Sequence, residues 1–341
     1  MYRVIVAGCG EMSKKWIEVT KNRADCEIVA LVDIYNDTAN ARKSEYDLDA
    51  NVYTSLVKAL DKENADLVLD ITPPEAHYET VTTALKSGCH VFGEKPMSDS
   101  LENSEKMVEC AIESKKEYFI MQNRRYLPGL CALKDFLGSK QLGNIGQISA
   151  NFQLGPHFGG FRDEMDSPLI ADMAIHTFDS ARFITGKNAV SVYCHEFNPS
   201  WSWYRGNAGA VCIFEMEDGS VFDYRGCWCA NGLTTSWESE WRVACANGAV
   251  YCDGEDKLYY EKITQDTENS ILSEDFIKHG TITAITPSPM ALQGHDACIG
   301  EMFESLQCGK KSQTDCTDNI HSIKMVYKAI ESAKTGKTVL F

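Results

Sequence analysis

Apolar residues fall in short unbroken runs over the first third of the chain and alternate with polar ones later. The two patterns predict two kinds of sheet. Residues 3–7, 27–33, 65–71, 89–92 and 117–121 are continuous apolar runs of strand length, as expected of strands buried on both faces. Helical stretches separate them at 14–21, at 75–86 and up to about residue 115, with Gly88 closing one and Ser98 or Ser100 capping another. This is the rhythm of a doubly wound parallel sheet. From about residue 123 the texture changes. A helix near 129–138 precedes alternating strands at 147–154, 189–196, 209–216, 220–229, 237–246 and 248–252. Asp218-Gly219, Asn231-Gly232 and Asn247-Gly248 mark turns between them, which predicts a large, mostly antiparallel open sheet. Residues 255–290 are polar with little periodicity and read as loops with at most one edge strand. Two helices, near 293–307 and 315–335, follow. The expected division is an α/β domain over residues 1–122 and an α+β domain over 123–341.

The first strand runs straight into Gly8-Cys9-Gly10-Glu11-Met12-Ser13 and then a helix. Strand, glycine turn and helix in that order are the fingerprint of a dinucleotide-binding Rossmann fold. Gly8 permits the tight turn. Gly10 lets a pyrophosphate approach the backbone where helix N–H groups favour an anion. Ser13 stands where a third glycine is usual, and Glu11 must turn its carboxylate away from the phosphates. The second strand ends in Asp33, placed to accept hydrogen bonds from both adenosine ribose hydroxyls. Ile34, Tyr35 and Asn36 follow it and include no cation for a 2′-phosphate, so NAD is expected over NADP. Thr72, Pro73 and His77 are expected in the cofactor wall, although His77 reads equally well as a helix-capping residue.

Composition narrows the partners. The net charge of −16 disfavours a nucleic-acid partner and fits a small neutral substrate. Fourteen cysteines without a CxxC pair or zinc-like spacing suit a reducing compartment. No apolar run has membrane-spanning length, and the first strand begins too early for a signal peptide, so a cytoplasmic protein is expected.

The run from Ala171 to Phe183 carries Asp172, His176 and Asp179 at spacings of four and three, hence on one face of a helix among apolar neighbours. Buried carboxylates and imidazoles are costly unless paired or used. Asp172 can orient His176 and stabilise its charged form, as a general base requires. A metal reading of Asp172 and His176, with His157 or Asp179, lacks a second His or a Cys in the same element, so no metal is expected.

With Gly93-Glu94-Lys95-Pro96 added to the glycine turn and the Asp–His helix, the chain resembles the Gfo/Idh/MocA oxidoreductases. The likeness is most specific over residues 3–126 and 161–186. It implies an N-terminal Rossmann domain, a C-terminal sheet used for dimer or tetramer contacts, and NAD as cofactor. Lys95 fits the family's catalytic lysine, Asp172 and His176 its second motif, and Asn123-Arg124-Arg125-Tyr126 its interdomain segment. Glu94 and Asn123 are then expected beside the cofactor and Tyr126 beside the substrate. The implied activity is NAD-dependent oxidation of a secondary hydroxyl on a sugar, glycoside or cyclic polyol. Lys95 and His176 divide the proton and oxyanion roles in an order the residues leave open. Reduction of a keto sugar or an unsaturated ring, or non-catalytic sensing of NAD, are the rival readings.

Five of the six tryptophans, Trp201, Trp203, Trp228, Trp237 and Trp241, lie within about forty residues. Trp228, Trp237 and Trp241 read as packing of the sheet or of a subunit interface. Trp203, Tyr204 and Arg205 stand in a turn-rich stretch and are substrate candidates, with His157 and Arg162.

Overall fold

The structure, a computed structural model, describes residues 1–255, 257–263 and 280–341. By compactness the chain divides into Met1–Asn123 with Leu292–Ile323, and Arg124–Ala291 with Lys324–Phe341.

The first unit holds a six-stranded sheet of β1 (Tyr2–Ala7), β2 (Cys26–Val32), β3 (Asn51–Tyr53), β4 (Leu67–Asp70), β5 (His90–Gly93) and β6 (Tyr118–Ile120). All pairs are parallel in the order β3-β2-β1-β4-β5-β6. The connecting helices are α1 (Ser13–Lys21), α2 (Asn36–Glu45), α3 (Leu56–Glu63), α4 (Pro74–Lys86) and α5 (Leu101–Ser114). Strand order reverses between β1 and β4, and the carboxyl ends at such a reversal are where open α/β sheets bind ligands. The apolar pattern did not reveal α2, β3 and α3. In α2 only Ala39 and Arg42 are buried, so its polar surface leaves little periodicity to read.

In the second unit α6 (Pro128–Gly138) leads to β7 (Ile145–Gln153), and a π-helical turn, Leu169–Ala174, runs into α7 (Ile175–Thr185). Next come β8 (Ala189–Phe197), β9 (Gly209–Met216), β10 (Val221–Cys227), β11 (Glu240–Cys245) and β12 (Gly248–Cys252). Of the polar stretch 255–290, residues 256 and 264–279 lie outside the described residues. Its described part holds two strands rather than one, β13 (Leu258–Lys262) and the edge strand β14 (Thr281–Ala284). The sheet runs β14-β13-β12-β11-β7-β10-β9-β8-β15, β15 being Val339–Leu340, and only β7–β10 is parallel. Phe178 of α7 packs edge-on against Phe214, Phe222 and Tyr224, which fixes the helix to the sheet's buried face. The alternation of β9 points Val211 and Ile213 outward and Cys212 and Phe214 inward.

Two strands are shorter than the sequence suggests. Trp228 and Cys229 belong to a turn after β10, and Trp237 precedes β11. The last helices are α8 (Gly294–Cys308) and α9 (Cys316–Thr335). Helix α8 belongs with the first unit, whereas its place in the sequence puts it with the second. Phe303 of α8 meets Phe92 of β5 edge-on at 5.0 Å, and the Arg23 guanidinium lies over the Phe303 ring at 4.5 Å. No helix among the described residues is long and apolar enough to cross a membrane.

Candidate active site

The glycine turn is built at the carboxyl end of β1. Gly8 has φ +89°, and a Cβ there would come within 2.4 Å of the Ile71 carbonyl oxygen, so no other residue fits between β1 and the turn after β4. Gly10 is a glycine for another reason. Its backbone is ordinary and a Cβ would meet nothing within 4 Å, so the side facing outward is left clear for a ligand. No side chain caps the N-terminus of α1, and its first turn holds no acid. A helix N-terminus with this clear approach fits a dinucleotide pyrophosphate. Glu11 is exposed and ion-paired with Lys14 at 3.1 Å, and Met12 stands half exposed at the helix start. Ser13, in the third-glycine position, is fully buried and donates to the Gly10 carbonyl at 2.7 Å.

Asp33 accepts from the Cys9 N–H on one oxygen and the Tyr35 N–H on the other, each at 2.9 Å. A carboxylate has about four acceptor positions, so capacity for ribose hydroxyls remains. Sequence reading missed Arg42. This buried residue of α2 donates to the carbonyls of Cys9 and Gly10 and pairs with Glu45. It braces the turn from behind and is already committed, so it does not supply the cation a 2′-phosphate would need.

Thr72 follows β4 and donates its hydroxyl to buried Asp70 at 2.6 Å, and Pro73 opens α4. The ring nitrogens of His77 face the Pro96 and Thr72 carbonyl oxygens at 3.0 and 2.7 Å. His77 therefore clasps two turns together, and it is 1% exposed. Glu94 accepts from Trp16 of α1 at 2.7 Å and from the Lys95 N–H at 3.2 Å, which ties the Glu-Lys-Pro turn to the glycine-turn helix. Lys95 is half-buried beside the carboxyl end of β5, and Asn123 closes the unit. His295 on α8 is a second residue that sequence reading missed. Burial holds its pKa below the ordinary value, and Glu94, Lys15, Asp296 and Lys95 are the charged groups around it. Some 200 residues separate it from Lys95, and no local motif announces it.

In the second unit the polar members of the Asp–His helix are divided among different tasks. Asp179, 1% exposed, takes two hydrogen bonds from Arg125 at 2.6 and 2.8 Å. A buried bidentate pair of this kind holds structure, and removing one partner costs about 3–5 kcal/mol. Asp172 lies in the π turn, a device frequent at functional sites, and accepts from Arg162 Nε at 2.6 Å. His176 is the second residue of α7 and is 9% exposed.

Two loops build the surroundings of Arg162. Residues 160–164 form a short 3-10 turn, and residues 203–207 pair with it through Arg205 N–H to Asp163 and Asn207 N–H to Asp166, both at 2.8 Å. Gly206 makes this possible, since a Cβ there would lie 2.1 Å from the Asp166 carbonyl oxygen. His157 bonds Asp163 at 2.8 Å and stacks on Trp203 at 4.8 Å. Trp203, Tyr204 and Trp228 continue the series at 5.5 Å steps. Burial raises the Tyr204 pKa, with Trp203, Asp163, Asp172 and Arg162 around the phenol. Asp163 Oδ1 and Trp228 Nε1 are buried without a hydrogen-bond partner among the described residues. Arg205 is turned elsewhere, exposed and paired with Asp166 and Glu164. Tyr126 is buried at the end of its own 3-10 turn. Trp228 and Trp241 are buried, while Trp237, expected to pack the sheet, is 40% exposed.

Comparison with known proteins agrees with this construction. Residues 2–122 match the model of an oxidoreductase family with an NAD-binding Rossmann fold, and residues 131–251 match the C-terminal domain of the same family. The chain belongs to the Gfo/Idh/MocA family. Its N-terminal domain is thus the family's NAD-binding domain. A protein of Sinorhizobium fredii named y4oX is 25% identical over 99% of this chain and 95% of its own length. Inositol 2-dehydrogenase of Rhizobium meliloti is 24% identical over 54% of this chain, a match spanning 55% of that enzyme. An oxidoreductase from Agrobacterium radiobacter, solved with NAD+, L-tartaric acid and magnesium, superposes with a TM-score of 0.85 at 18% identity, covering 99% of this chain and 98% of that one. At that identity the likeness concerns the fold.

Proposed function

We propose that the protein is an NAD-dependent dehydrogenase that oxidises a secondary hydroxyl of a sugar, glycoside or cyclic polyol. The observation that carries the reading is the Arg162–Asp172 pair in the π turn beside His176, framed by stacked aromatic rings and by buried polar atoms that lack partners. Aromatic faces suit the C–H faces of a sugar ring. His157 and Arg162, both partly open to solvent, can meet the ring's hydroxyls.

Bound NAD supplies the hydride acceptor, held by the glycine turn, Asp33 and the clear face of Gly10. His176 takes the hydroxyl proton, since an imidazole titrates near neutrality. Asp172, fixed by Arg162, favours the imidazolium that results. Lys95, in the first unit, is the other catalytic candidate, its ammonium suited to stabilising alkoxide charge. His157, Trp203, Tyr204 and Arg162 orient the ring. The protein assembles as a homo-oligomer through the outer sheet face, where Tyr193 lies opposite Ile213 and both are exposed.

The test is a panel of hexoses, glycosides and inositols with NAD, followed by absorbance of the reduced nicotinamide and compared with 2-hydroxy acids and sugar phosphates, with and without a chelator. Oxidation of neutral polyols is expected. Activity confined to phosphorylated or carboxylate substrates, or abolished by the chelator, would overturn the reading.

A further inference from the structure

We propose that Phe158, Phe161 and Trp237 form a second subsite that holds an aromatic aglycone, attached to the ring that is oxidised. The inference rests on the dehydrogenase reading above and specifies its substrate as an aryl glycoside.

Phe158 and Phe161 are 58% and 56% exposed, and Trp237 is 40% exposed. Rings left in water at this density mark a binding surface more often than scattered single residues do. Their position gives the surface its meaning. Phe158 stacks on Trp237 at 6.1 Å and meets Trp228 edge-on at 6.4 Å, and Trp228 stacks on Tyr204. The exposed rings therefore continue the series that begins at His157 and Trp203. Arg162 joins the two parts. Its Nε bonds Asp172, while its guanidinium carbon lies 5.6 Å from the Phe158 ring centre and 4.7 Å from that of Phe161. A ligand ring engaged near Asp172 has these rings as its next neighbours on the same loop.

Chemistry selects the occupant. Phe158 and Phe161 could meet the C–H faces of a second sugar. They carry no side-chain hydrogen-bonding atom to replace the water its hydroxyls would lose, so an all-carbon ring gains more from them. The Arg162 charge is matched by Asp172, so the surface does not call for an anion. A flat apolar ring gains both from leaving water and from stacking. A second copy of the chain is the remaining occupant of such a surface, and the experiment separates it.

The experiment compares phenyl β-D-glucopyranoside with methyl β-D-glucopyranoside at saturating NAD, in the parent, in Phe161→Ala and in Phe158→Ala/Phe161→Ala. Phenyl glucoside should show a KM about tenfold lower than methyl glucoside, with similar turnover, as one stacked and buried ring provides. The double variant should raise the phenyl KM to the methyl value and leave methyl glucoside kinetics unchanged, with Phe161→Ala intermediate. Equal KM values in the parent, or a phenyl advantage that survives the double variant, would overturn the subsite. So would a parent oligomer that the double variant splits in sedimentation. If neither glucoside is oxidised, the dehydrogenase reading fails for glucosides, and the subsite is judged by calorimetry on NADH-loaded protein. Tighter binding of phenyl than methyl glucoside, lost in the double variant, then supports it, and equal binding overturns it.

Discussion

The carboxyl edge of the parallel sheet is shaped by backbone, whereas the loops around the π turn gather side chains. At the first, Gly8 and Gly10 shape the chain, Arg42, His77 and Glu94 hold turns, and Asp33 keeps acceptor capacity beyond the two N–H groups it takes. At the second, Arg162, Asp163, Trp203 and Trp228 bring functional groups together, and some of those groups stay unsatisfied. A cofactor shared by many enzymes can be bound by a fixed backbone shape. A particular substrate needs a particular set of side chains, and on the proposed reading the set gathered in the second region is its imprint.

The largest expected effect tests whether Asp179 stands apart from that imprint. Asp179→Ala should cost about 3–5 kcal/mol in urea unfolding, because it strands the buried Arg125 charge. Asp172→Ala, whose partner is partly exposed, should cost far less stability and instead shift the pH profile of turnover. If the two variants lost equal stability, the division between structural and functional acids would fail.

The comparison sharpens at the reacting groups, one from each region. Lys95→Ala and His176→Ala should each lower turnover by at least ~100-fold while NADH binding, followed by fluorescence of the reduced nicotinamide, survives. Near-parental activity in His176→Ala would remove the proposed base.

Glu196 probes what holds the π turn. It accepts from Ser167, two residues before that turn begins, at 3.0 Å, and its other oxygen is buried without a partner. Burial pushes its carboxyl from 4.5 up to about 7. The fold therefore disfavours the ionised form: stability falls as pH rises from 4.5 to about 7, and the penalty persists above that. Glu196→Gln should be more stable than the parent by about 2 kcal/mol at pH 8 and equal to it near pH 4.5.

On the backbone side the effects are smaller. Asp33→Ala should weaken NAD binding about tenfold and narrow the gap between NAD and NADP without unfolding the protein. Equal or better NADP binding by the parent would contradict the assignment. Trp203→Ala should raise the substrate KM about threefold and change turnover less, since stacking acts on ground and transition states alike.

This contrast also explains what could be read from the residues. Short-range signals carried the first edge: a strand, two glycines, an acid at the next strand's end and the Glu-Lys-Pro turn all act within a few residues of where they stand. Arg42 escaped because a polar helix has no apolar period, and His295 because its neighbours are distant in sequence. In the second region Asp172 and His176 were legible from spacing, but Asp179 shares their spacing and serves another purpose. Its pairing with Arg125 and Arg182 distinguishes it. Trp237 was expected in a strand because its stretch alternates, yet the strand begins at Glu240 and leaves the indole in a loop.

The return of α8 to the first unit has a consequence for biosynthesis. When residue 123 is complete, every strand of the parallel sheet exists, but the helix that seats Phe303 against Phe92 does not. Chain growth of about 5–20 residues per second puts that helix roughly ten to thirty seconds later. During that interval the growing chain offers an uncovered aromatic face, the kind of surface a chaperone grips, close to the turn that carries Lys95.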